Sequence, residues 1–206
     1  VGKGDRVILF MQKSLMSVIA HLALLKLGGV SVPLNPGFKE SEMAYLLQDA
    51  QAKVILMGAD KAEFINAVNP QVVQMTVDSQ KPLHDQEILK EASGQFRPAK
   101  IQETDPGIMI YTSGTTGPPK GAMNTPGNIA FNARVYQAMQ CIDENDVVIG
   151  VAPLFHVTGE VAHLAIAALA GIPVILYYRF DLAYSCGNAI PSNCSCGFCP
   201  IMENSH

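Results

Sequence analysis

A chain of 206 residues has room for one sizeable domain or two small ones. Its 49% hydrophobic and 16% charged residues support a buried core and exclude a disordered polymer. A formal net charge of −4 excludes the basic footprint of a nucleic-acid binder.

The chain opens in the turn Gly2-Lys3-Gly4-Asp5, and Arg6 to Phe10 then reads as a short buried strand. Ser14 is placed to cap a helix in which Leu15, Val18, Ile19, Leu22, Leu25 and Leu27 recur at helical spacing. Gly28-Gly29 stop that helix, and Val30 to Leu34 gives a second strand before the turn Asn35-Pro36-Gly37. Met43, Leu46 and Leu47 mark a second amphipathic helix, followed by the strand Lys53 to Met57. Strand and helix alternating in this way predict an α/β fold with parallel or mixed sheets flanked by helices.

Further along, Asp60 and Glu63 predict a capping pair for a short helix, and Val72 to Val77 a strand. Residues 78–104 are polar and irregular, with a short helix expected near Gln86 to Glu91. Ile108 to Tyr111 is an apolar strand leading into a Gly-rich loop. Beyond it, Thr125-Pro126 suits a cap followed by an N1 proline, opening a helix to about Gln140. A turn at Asp143 to Asp146, a strand from Val147 to Ala152 and a loop from Pro153 to Gly159 come next. A helix to Ala170 and a strand from Ile172 to Tyr177 complete the regular part.

The weakly polar run Val161 to Tyr178 is nearly long enough to span a bilayer. His163 and Gly171-Ile172-Pro173 interrupt it, so a buried helix and strand are the better reading. No cationic segment followed by an apolar core opens the chain, so a cytoplasmic location is expected.

The chemistry concentrates in Tyr111 to Gly121, YTSGTTGPPKG. Its glycines let backbone N–H groups approach a ligand closely, and successive N–H groups in such a turn make an anion-binding concavity. Ser113, Thr115 and Thr116 add hydroxyls, and Lys120 adds a mobile charge suited to phosphate. A loop leaving a strand end also lies where open α/β sheets bind ligands. A flexible surface loop has the same composition. A Walker A loop does not fit, because Lys120 follows Pro119 and precedes Gly121 rather than a Ser or Thr.

Nearly letter for letter, these eleven residues resemble the phosphate loop of the adenylate-forming superfamily. Two further segments resemble that family in the right order. One is His21 to Leu34, with Leu27-Gly28-Gly29-Val30 and Val32-Pro33-Leu34-Asn35-Pro36; the other is Pro153 to Gly159, PLFHVTG. Asn35, the Gly-Thr-Thr-Gly wording and PLFHVTG are similar to the acyl-CoA synthetase branch rather than to amino-acid adenylation domains. The resemblance covers about residues 1–181 and implies part of the N-terminal domain of the acyl-CoA synthetase fold.

The resemblance further implies an ATP-dependent carboxylic acid:CoA ligase acting on a fatty or aryl acid, with ATP, Mg2+ and CoA. A carboxylate attacks the α-phosphate, releasing pyrophosphate, and the CoA thiol then displaces AMP from the acyl carbon. On this reading Ser113, Gly114, Thr115, Thr116 and Gly117 wrap the outer phosphates, Lys120 adds charge, and Thr112 or Thr116 helps hold magnesium. His156 sits by the acyl and nucleotide pocket, where Gly159 leaves room for the acyl chain; an ordinary loop imidazole is the alternative for His156. His21 and His163 lie in apolar helical stretches and read as structural, and Tyr111 as packing.

Departures from the family pattern carry expectations of their own. Asn124-Thr125-Pro126-Gly127-Asn128 replaces the usual Thr-His-Arg/Lys-Asn. The later segments carrying a magnesium-binding Glu, a ribose-binding Asp and a catalytic Lys do not occur within these residues. The stretch is therefore expected to be an inactive fragment; a non-catalytic nucleotide-binding or regulatory protein is the alternative. Residues 182–206 place Cys186, Cys194, Cys196 and Cys199 among small and polar residues. Cys196 and Cys199 form a C-x-x-C and His206 is a spare ligand, but no second pair completes a zinc set. A disordered tail from a shifted frame or aberrant splice is expected instead.

Overall fold

The computed structural model describes residues 1–78, 81–90, 92–112 and 117–177, together with the backbone of Cys194–Ser195. Two compact units divide the chain, Val1–Pro126 and Gly127–His206.

In the first unit, β1 (Arg6–Phe10) lies between β2 (Val30–Pro33) and β3 (Val54–Gly58), both parallel to it. Adding β4 (Val73–Val77), β5 (Ile108–Thr112) and β6 (Lys120–Asn124) gives a sheet of order β4-β3-β1-β2-β5-β6. All neighbours are parallel except β5 and β6. The predicted mostly parallel α/β sheet is thus present. Alternation along β1 and β3 feeds two cores, because successive side chains leave opposite faces. Ile8, Phe10, Ile55 and Met57 meet Met43, Leu46, Leu47 and Ala50 of α2 (Glu40–Ala50) on one face. Val7, Leu9, Val54 and Leu56 meet Met16, Ala20 and Leu24 of α1 (Leu15–Leu27) on the other.

The boundaries of α1 follow its sequence signals. The Ser14 hydroxyl accepts from the Ser17 N–H at 3.2 Å, and Ser17 returns a bond to the Ser14 N–H at 2.9 Å. Gly28 ends the helix with φ of 70°, where a glycine carries no Cβ penalty. The buried face differs from the predicted one. Leu15 and Leu22 are 54% and 40% exposed, whereas Met16, Ser17, Ala20, His21 and Leu24 face inward. Apolar residues surround this helix on nearly every side, so spacing alone leaves its rotation open. His21 Nδ1 lies 2.9 Å from Ser31 Oγ of β2, a buried polar pair that accounts for its inward position.

Two other expectations change. Asp60 lies in a 3-10 turn, Ala59–Lys61, and the helix behind it, α3 (Ala62–Val68), begins without a side-chain cap. The Asp60–Glu63 capping pair is therefore absent, because the turn displaces the helix start. The strand β6 is an addition: Lys120-Gly-Ala-Met-Asn has weak strand propensity and forms by pairing with β5. The short helix expected near Gln86 is α4 (Glu87–Lys90), preceded by a 3-10 turn at Leu83–Asp85.

The second unit holds α5 (its span Pro126–Met139 starting at the junction), β7 (Val147–Gly150) and β8 (Val174–Leu176), the strands being parallel. A two-residue strand, β9 (Cys194–Ser195), pairs with β7 on its other side. Between β7 and β8 a continuous helical run comprises α6 (Val157–Gly159), a π-helical turn Glu160–Ala165 and α7 (Ile166–Ala170). Helix therefore starts inside the expected loop Pro153–Gly159, and Gly171 ends it at φ of 70°. Ala133, Ile142, Val148, Ala162, Ile166, Ala167 and Ile172 form this unit's core. Among the described residues no helix is long and apolar enough to cross a membrane. Most of residues 182–206, including the C-x-x-C and His206, lies outside the described residues.

Gln86 organises the irregular stretch after β4. Only 2% exposed, it accepts from the Asp78 N–H and donates to the Asp78 and Lys81 carbonyls. Removing a buried side chain with three such bonds typically costs about 1–3 kcal/mol. Gln86→Ala is expected to lower the urea midpoint accordingly with an unchanged slope; a shift below about 0.5 kcal/mol would contradict this role.

Candidate functional site

The strand β5 runs parallel to its neighbour β2, so its carboxyl end lies on the carboxyl edge of the parallel sheet. The pairing of β5 with β6 carries Tyr111 opposite Gly121 and Thr112 opposite Lys120. β5 and β6 thus form a hairpin whose ladder holds both ends of the Gly-rich segment. Lys120 is the first residue of β6 and is exposed, as is Thr112 across from it. The Thr112 hydroxyl stands 3.5 Å from the Lys120 carbonyl. Gly117 has φ of 127°, a backbone that side-chain-bearing residues rarely adopt. Ser113, Gly114, Thr115 and Thr116 lie outside the described residues.

Two tyrosines tie this hairpin to α2. The Tyr111 hydroxyl donates to Asp49 Oδ2 at 2.6 Å, and the Tyr45 hydroxyl donates to the Pro119 carbonyl at 3.0 Å. Burial, and then the Asp49 carboxylate, push both phenol pKa values above their ordinary value. Both hydroxyls therefore remain donors at any physiological pH. Tyr111 does pack against the core as expected, but it also carries this bond. Tyr45 and Asp49 were not legible as site residues, since a half-buried Tyr and an exposed Asp on an amphipathic helix are common.

In the second unit, His156 is the N-cap of α6. Its Nδ1 accepts from the Thr158 N–H at 3.2 Å and lies 3.0 Å from Thr158 Oγ1. An accepting Nδ1 places the neutral ring's proton on Nε2. Gly159 is buried, and a Cβ built there would run into the Pro153 carbonyl and come within 3.1 Å of Leu154 Cα. The space left by Gly159 is filled by its own loop's backbone, which fixes how the Pro-Leu-Phe-His turn closes on the helix. His163 is buried, with Nε2 accepting from the Ala152 N–H at 3.1 Å, as its structural reading expects.

Magnesium takes oxygen ligands and usually keeps several waters beside substrate phosphates. Thr112 offers one exposed hydroxyl of that kind. Among the described residues, no cluster of three or more His, Cys, Asp or Glu side chains could hold a metal ion.

Fold and loop together define an α/β protein with a Gly/Thr-rich hairpin on the carboxyl edge of its sheet. Residues 1–191 match the family of AMP-binding enzymes, past the boundary expected at Asp181, and the chain belongs to that family. It is 33% identical over 184 residues to a 2-succinylbenzoate–CoA ligase of Bacillus velezensis, covering 87% of this chain and 35% of that one. A long-chain-fatty-acid–CoA ligase of Mycobacterium tuberculosis, FadD13, is 29% identical over 88% of this chain and 36% of its own length. The structure of ATP-bound MatB from Rhodopseudomonas palustris superposes with a TM-score of 0.82 at 27% identity, covering 90% of this chain and 37% of that one. The chain spans about a third of the length of the curated relatives it matches.

The cap gives His156 a structural role that can be tested by itself. Loss of an N-cap side chain costs about 0.5–2 kcal/mol, and Asn is a good cap. His156→Ala is expected to lower the melting temperature of the protein and His156→Asn to restore it. Equal destabilisation by both would contradict capping.

Proposed function

We propose that the protein is an ATP-dependent carboxylic acid:CoA ligase using a fatty or aryl acid. The hairpin loop carries the reading: its YTSGTTGPPKG sequence, its ladder from Tyr111–Gly121 to Thr112–Lys120, and its place on the carboxyl edge of the sheet. Membership of the AMP-binding family and relatives that are CoA ligases support it.

In the proposed reaction an oxygen of the substrate carboxylate bonds to the α-phosphorus of MgATP. The bond to the bridging oxygen breaks and pyrophosphate leaves. The CoA thiol, losing its proton, then attacks the acyl carbon, and AMP departs. Neither half needs much covalent chemistry from the protein, so positioning and charge neutralisation dominate. Ser113, Gly114, Thr115, Thr116 and Gly117 are assigned to the outer phosphates, Lys120 to their charge, and Thr112 and Thr116 to magnesium oxygen ligation. His156 is assigned to the acyl side; Gly159 serves that pocket by letting the Pro153–Leu154 backbone close. A cytoplasmic location is part of the same proposal.

Carboxylate-dependent ATP–pyrophosphate exchange by the full-length protein, screened over fatty, aryl and amino acids, tests the reading. Fatty or aryl acids should support exchange; activity with amino acids only would move the protein to the peptide-synthetase branch. Lys120→Ala should slow exchange by the about 2.7–4 kcal/mol typical of losing one charge-stabilising group. An unchanged rate would remove Lys120 from the site.

A narrower proposal concerns residues 1–206 by themselves. Groups that act as one constellation are strongly non-additive, and this stretch supplies only the outer-phosphate and His156 parts. Expressed alone, it should release no acid-dependent pyrophosphate. Turnover within about tenfold of the full-length protein would overturn that expectation.

A further inference from the structure

Two residues of α2 that belong to no family motif quoted above bind the two stems of the hairpin separately. Tyr45 and Asp49 stand four positions apart, one helical turn, and so share a face of the helix. Asp49 accepts from the Tyr111 hydroxyl on the incoming strand, at 2.6 Å. Tyr45 donates to the Pro119 carbonyl on the outgoing side, at 3.0 Å. The helix beneath them is immobilised, with Met43, Leu46, Leu47 and Ala50 buried in the core against Ile8, Phe10, Ile55 and Met57. Tyr45 and Tyr111 themselves pack against that core.

We infer that Tyr45 and Asp49 are positioning residues for nucleotide binding, holding in place Tyr111 and Pro119, which flank the loop assigned to the outer phosphates of ATP. The inference rests on the nucleotide-binding reading of that loop. Its physical basis is pre-organisation. Flanking residues already held in place have less conformational freedom left to lose when a ligand binds beside them, and that saving appears as affinity. The ladder alone stops at Thr112–Lys120, on an edge strand whose weak propensity gives it little stiffness. Two side-chain bonds to a buried helix supply what the edge pairing lacks. A phenol is protonated at physiological pH even without a shift, and burial only raises these two further, so both hydroxyls remain available as donors there.

The test uses the full-length protein and two probes, MgATP and AMP, the second lacking the outer phosphates. Calorimetric titration would compare the unmodified protein with Tyr45→Phe, Tyr111→Phe and Asp49→Ala. The last substitution is at an exposed helical site where alanine favours the helix, so folding is retained. Each variant should raise the Kd for MgATP by about 3- to 10-fold, the range expected for one hydrogen bond. The Kd for AMP should stay within about twofold, below that range. MgATP affinity unchanged in all three variants overturns the inference, as does an equal loss for both ligands, which would mark a general loss of structure. An unmodified protein that binds AMP but not MgATP overturns the phosphate-loop reading itself, and the brace falls with it.

Discussion

The antiparallel pairing of β5 with β6 is the constraint on which the candidate site depends. It converts a Gly- and Thr-rich stretch from a free linker into a loop whose first and last residues face each other, Thr112 across from Lys120. Without that pairing Lys120 and the Thr112 hydroxyl would share a sequence neighbourhood but no geometry. The pairing stands on the parallel sheet behind it. Ser31 opposite Ile108 joins β5 to β2, and β2 lies along β1, whose alternating side chains fill both cores. Burial on both faces makes this part of the sheet hard to deform, and a rigid frame suits the phosphate-binding role proposed for the loop.

The helix α2 connects core packing to the site. Its apolar positions fix its rotation against the sheet, and that rotation decides where Tyr45 and Asp49 emerge. The hydrogen bonds to Pro119 and from Tyr111 are consequences of packing that lies elsewhere. In the second unit the dependence runs through backbone instead. The absence of a side chain at Gly159 allows the Pro153 carbonyl to approach the helical run, and His156 then caps that run's first turn. The motif PLFHVTG thus contains its own folding instructions: a proline turn, a capping imidazole and a glycine contact.

Legibility varied with the kind of signal each element carried. Strands β1 and β3 were readable because they are short, continuous apolar runs bounded by turns. The ends of α1 were readable because Ser14 and Gly28 act locally, through a cap and a left-handed residue. Its buried face was not, since apolar residues lie on several sides; packing against the sheet selected Met16, Ala20 and Leu24 over Leu15 and Leu22. The strand β6 had no signal of its own, because Gly121 and Ala122 have little strand preference. The π-helical turn at Glu160–Ala165 was equally silent, its residues suiting an α-helix as well.

From sequence alone came the α/β class, the order of strands and helices apart from β6, the Gly- and Thr-rich motif and membership of the adenylate-forming family. Each rests on local periodicity or on a contiguous string of residues, which survive in one dimension. Tertiary structure decided that the loop is a hairpin rather than a strand-to-helix turn. It also decided that α2 supports both stems, and that Gly159 is needed for a backbone contact. Those features depend on residues far apart in the chain, as Tyr45 and Pro119 or Asp49 and Tyr111 are, meeting only once the core has set the rotation of a helix. Periodicity fixes neither that rotation nor the partner of an edge strand, because both are settled by the surfaces against which they pack.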